Sequence, residues 1–133
     1  MFGPGEPKTI DELLARLARI RQIHVMWIPR FKEPWKDPLG CLARIGITYE
    51  EAEERILAFL SKADLHKGPE ESKNPRIPEH KWVFYVTISL MGWMRDLYIK
   101  LSSRIPEEIC VESFHEREKP IDYVEEEEDD ELR

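Results

Sequence analysis

The sequence predicts an α+β domain, with helices first and an antiparallel sheet last. Two capping-box patterns precede amphipathic stripes in the first half of the chain. Three runs rich in β-branched and aromatic residues fill the second half. Turn signals at Met91-Gly92 and Ile105-Pro106-Glu107 separate those runs, as a three-stranded meander requires. At 133 residues the chain is long enough for one domain with a modest core, read as residues 1–118, with an acidic tail over 119–133.

The first helix is expected over Ile10–Ile23. Thr9 and Glu12 have capping-box spacing, and Leu13, Leu14, Leu17, Ile20 and Ile23 form one apolar stripe. Pro29, Pro34 and Pro38 then forbid a long helix. A short strand at Val25–Ile28 followed by an irregular crossing is expected, then a short helix in LGCLARIG stopped by Gly46. The second clear helix covers Tyr49–Leu60, opened by Thr48 and Glu51, with Ala52, Ile56, Leu57, Phe59 and Leu60 facing inward. SKADLHKGPEESKNPRIPEHK reads as a long loop, a length that is often functional or disordered. The strands are expected at Lys81–Ser89, Arg95–Arg104 and Glu108–Phe114.

Charge divides unevenly. Residues 119–133 hold eight acids and two bases, while the rest of the chain holds 19 acids and 18 bases. The tail cannot bury apolar area and repels itself, so it is expected to be disordered. The near-neutral body neither demands nor excludes a nucleic-acid partner, since a local basic patch can sit on it. Cys41 and Cys110 fit no metal or redox spacing, and a reduced, cytoplasmic protein with unpaired thiols is expected. The first ten residues do not form a signal peptide, and the longest uncharged run, Trp82–Met94, is too short to cross a membrane.

In LYIKLSS, Leu97, Ile99 and Leu101 point one way and Tyr98, Lys100 and Ser102 the other. The last strand is less regular. Strict alternation sets His115 with Ile109 and Val111, whereas a bulge near Ser113 brings it to the face of Tyr98. One reading of Lys67, Tyr98, Lys100 and His115 is an ordinary solvated surface. The other is a site for metal-independent RNA cleavage, in which histidine exchanges a proton, lysines hold a phosphate and tyrosine positions a base. Other chemistry is weaker. His66, His80 and His115 lack the spacing of a metal site, and Cys110 lies mid-strand as a packed thiol. There is no phosphate-cradling glycine loop or G-x-S-x-G, and EEEEDD lacks the glycine-turned loop of a calcium site. No cofactor or metal is expected.

The order DLHKGPE, KWVF, LYIKL, ESFHE resembles the MqsR-like toxins of bacterial type II toxin–antitoxin pairs, relatives of the RelE-type fold. The resemblance runs over roughly residues 41–116, starting with CLARIGITYEEAEERILAFL. It implies a RelE/MqsR-like fold and a metal-independent endoribonuclease neutralised by an antitoxin. His115, Lys67, Lys100 and Tyr98 match the catalytic positions, and Arg104, Trp82 and Ser113 are candidate substrate-binding residues, with Trp82 read either as a platform aromatic or as part of the core. Val83 stands where some members have glutamine, and residues 1–40 and the acidic tail depart from the pattern. The implied partners are RNA and a cognate antitoxin, with no membrane and with a homo-oligomer left open. The alternative is a non-catalytic interaction module on the same fold, binding a partner through its sheet edge or acidic tail. A third reading makes the tail a nucleic-acid mimic that blocks basic proteins.

Overall fold

The computed structural model of the protein describes residues 9–30, 32–71, 79–90, 92–103 and 108–118. Arg104 and the acidic tail lie outside them. Three α-helices pack on one face of an open five-stranded sheet. Helix α1 (Ile10–Leu17) starts at Thr9, whose hydroxyl accepts from the Glu12 N–H at 3.2 Å while the Glu12 carboxylate accepts from the Thr9 N–H at 3.0 Å. It is shorter than expected. A 3₁₀ turn (Ile20–Gln22) follows, and Ile23 is already extended because the next residues must pair in the sheet as β1 (His24–Trp27).

Helix α2 (Pro38–Ile45) is capped by Asp37 and closed by Gly46 at φ 90°, a left-handed conformation that glycine adopts without strain. Helix α3 (Tyr49–Arg55) opens with the Thr48–Glu51 capping box. It tightens into a 3₁₀ turn over Leu57–Phe59, which buries Leu57 but leaves Phe59 exposed, contrary to its expected inward position.

The strands β2 (Leu65–Glu71), β3 (His80–Leu90), β4 (Trp93–Ser103) and β5 (Glu108–Glu116) complete the sheet, in the order β1-β5-β4-β3-β2. The meander β3-β4-β5 is antiparallel as expected. Two expectations need correction. The sheet is mixed, because β1 joins β5 in parallel, from His24↔Glu108 to Trp27↔Val111. The long loop contains an edge strand, since β2 pairs with the free side of β3 through two register shifts that hide its alternation. Gly68 sits at one shift with φ 123°, and a Cβ there would meet the Lys81 carbonyl oxygen at 2.7 Å. Gly68→Ala is therefore expected to cost ~1–3 kcal/mol of stability, measured by chemical denaturation; an unchanged midpoint would mean that β2 contributes little to the fold.

One sheet face forms the core. Trp82, Phe84 and Val86 from β3, Leu97, Ile99 and Leu101 from β4, and Ile109, Val111 and Phe114 from β5 pack with Leu13, Leu17, Leu42, Ile45 and Leu57 of the helical layer. Cys41 and Cys110 are buried and form no disulfide, and burial pushes the Cys41 thiol up to about 12, which removes it as a nucleophile near neutral pH. Among the described residues no helix is long and apolar enough to cross a membrane.

Candidate functional site

The opposite sheet face carries the polar and aromatic residues. Alternation alone puts Tyr98 and Lys100 there, and Tyr85 pairs with Tyr98 across β3–β4. In β5 the register shifts by one residue: Leu101 pairs with Val111, but Lys100 pairs with Ser113 and Tyr98 with His115. Glu112 is the extra residue of this bulge. Ile109 and Val111 thus stay in the core while Ser113 and His115 move to the face of Tyr98.

A row of rings crosses this face. His66 stacks on Tyr85 with centroids 3.9 Å apart, Tyr85 meets Tyr98 at 6.0 Å, Tyr98 stacks on His115 at 5.0 Å, and His115 meets the edge of Trp35 at 5.5 Å. Around the His115 end lies a cleft of about 710 Å³. Arg30, Lys36, Lys100 and Arg117 line it against two carboxylates, Glu112 and Glu118, so the cleft is cationic although the body of the chain is not. The Lys36 ammonium lies 5.3 Å from the Trp35 ring centroid.

His115, the penultimate residue of β5, is still paired in the sheet and is only 5% exposed. Its Nδ1 lies 2.7 Å from the Glu116 carbonyl oxygen. A carbonyl only accepts, so Nδ1 carries the hydrogen and Nε2 of the neutral ring keeps its lone pair. Burial holds the His115 pKa below 6.5, aided by the charges of Lys36 and Arg30 and opposed by the bond to Glu116. The Tyr98 phenol moves the other way. Burial and the neighbouring Tyr85 raise its pKa, against the lowering charges of Lys67 and Arg30, so Tyr98 keeps its proton at neutral pH.

Lys100 is 3.9 Å from the Glu112 carboxylate, which also accepts from Lys81 at 3.2 Å. Lys67 stands on β2, two strands away, exposed and paired with Glu70 at 3.4 Å; its charge reaches Tyr98, but it does not line the cleft. Ser113 lines the cleft but is buried, and its hydroxyl accepts from Arg30 Nη1 at 2.9 Å. It fixes a cation of the cleft. Of the two readings of Trp82 the core one holds and the platform one is corrected: it is fully buried opposite Leu101 on the core face, so it cannot touch a substrate. Arg104, the remaining candidate, lies outside the described residues. The sequence reading missed Arg30, Trp35, Lys36, Tyr85, Glu112 and Arg117. The signal for the first three was the interleaving of basic and aromatic residues in RFKEPWK. Among the described residues no three His, Cys, Asp or Glu side chains gather as a metal site.

Searches against family models, curated proteins and solved structures return no match for the chain.

Proposed function

We propose that the protein is an endoribonuclease of the toxin type, which cleaves RNA through the substrate's own 2′-hydroxyl. The observation that carries this reading is His115: neutral, with Nδ1 tied to a carbonyl, in a cationic cleft against Tyr98. In the reaction, His115 Nε2 takes the 2′-hydroxyl proton, the 2′-oxygen bonds to phosphorus, and the bond from phosphorus to the 5′-oxygen breaks. The leaving oxygen takes the Tyr98 phenolic proton, and solvent then removes the proton held by His115 and returns one to Tyr98. Lys100, Arg30 and Lys36 balance the charge that builds on the phosphoryl oxygens. Lys67 acts from a distance, through Tyr98 and the incoming backbone. The order of motifs shared with MqsR-like toxins supports the same reading, and with it a cognate antitoxin that would have to cover this cleft.

The pH dependence tests the role of His115. A base is active when unprotonated, so kcat/KM should fall as pH drops through the His115 pKa, with that acid limb below 6.5. A rate that instead rises as pH falls through this range would make His115 the acid. Independently, an oligonucleotide carrying a single ribose should be cut only after that ribose, and cleavage of an all-deoxy strand would exclude 2′-hydroxyl attack.

A further inference from the structure

The far end of the ring row has no role in the chemistry above. Tyr85 is stacked by His66 at 3.9 Å with the planes only 12° apart, and the Arg117 guanidinium lies over the same ring at 4.1 Å from its centroid. Two groups that close to one centroid cannot share a ring face without overlapping, so His66 and Arg117 cover opposite faces. Both groups are exposed; His66 belongs to the edge strand β2, and Arg117 lies just past the end of β5. A second cleft of about 530 Å³ opens there, lined by Tyr85, Tyr98, Arg95, Asp96, Glu116 and Arg117 among others, and Tyr85, Tyr98 and Arg117 also line the cleft of His115, so the two are continuous.

We infer that Tyr85 is a binding platform for an unpaired nucleobase next to the scissile phosphate, and that Arg117 holds the place of that base in the free protein. A cation over a ring and a base over a ring use the same π face, so the exchange keeps the ring covered. The released guanidinium is then free to pair with the backbone phosphate of the same nucleotide. His66 covers the other ring face, and the protein meets one flexible nucleotide with a preset stack. This site rests on the nuclease reading for its place beside the cut, but its test does not need cleavage.

The probe is a fluorescent all-deoxy oligonucleotide, which lacks the 2′-hydroxyl, compared with the same strand made abasic. Wild type should bind the base-bearing strand more tightly, and Tyr85→Leu should weaken that binding roughly 10- to 100-fold, with little effect on the abasic strand. Tyr85→Phe should bind as wild type does. In wild type the Tyr85 ring proton signals should shift on adding the base-bearing strand and stay in place with the abasic one, a readout that needs no variant. Unchanged Tyr85 signals, or equal losses by Tyr85→Leu on both strands, would overturn the site. Tyr85-dependent binding by a protein that cuts no RNA would sink the nuclease reading alone. RNA cleavage with base-independent binding would sink the base site alone. A wild type that binds neither strand would remove both.

Discussion

His115→Gln is expected to lower the rate of RNA cleavage by ~10²–10⁴, the usual worth of a positioned proton-transfer group. Glutamine is the informative replacement because His115 is buried between the rings of Tyr98 and Trp35. Alanine would empty that space and confuse lost chemistry with lost packing. The amide fills most of the volume but has no nitrogen that takes a proton near neutral pH. The same group has a stability signature. The unfolded histidine titrates at about 6.5 and the folded one lower, so the unfolded state takes up the proton first as pH falls. Stability should therefore decline below 6.5 in wild type, with that part of the decline missing in His115→Gln. Single-turnover cleavage and parallel melting curves measure both effects. A fully active variant would eliminate His115 as the base.

Lys100→Met should lower the single-turnover rate by ~10²–10³, the scale for losing one donor that meets transition-state charge. Methionine keeps the apolar stem and removes the ammonium. Glu112 keeps Lys81 at 3.2 Å, so no half-buried carboxylate is left without a cation and the fold should hold. Lys67→Met should cost less, since Lys67 is exposed and outside the cleft. Equal losses at the two positions would mean that β2 moves over the cleft when RNA binds. A Lys100→Met rate equal to that of wild type would assign the phosphate charge to Arg30 and Lys36.

Much of the fold was legible because local physics agreed with the final packing. The capping boxes at Thr9 and Thr48 formed as spaced, and the alternation in LYIKL set both faces of β4. What escaped was made by distant partners. The short strand β1 was expected, one residue further along, but its parallel pairing with β5 spans most of the chain and no local pattern announces it. β2 has two register shifts and a left-handed glycine, which destroy the period-two signal. In β5, one residue decides the site. Remove Glu112 from the count and the strand alternates cleanly, with Ile109, Val111 and Phe114 inward and Cys110, Ser113 and His115 outward. Sequence alone allows that extra residue anywhere in the strand; the need to bury Phe114 while keeping Val111 in the core fixes it. Arg30, Trp35 and Lys36 carried a compositional signal in RFKEPWK but could not be placed on a face, because an irregular, proline-broken segment has no period.

We propose that this bulge turns an ordinary sheet face into a ribonuclease site. The most direct measurement of this is single-stranded RNA incubated with wild type and His115→Gln in excess chelator, with the product ends identified. The expected result is wild-type cleavage giving 2′,3′-cyclic phosphate and 5′-hydroxyl ends, strongly slowed in the variant. RNA left intact by wild type, or cut equally by both proteins, would contradict it.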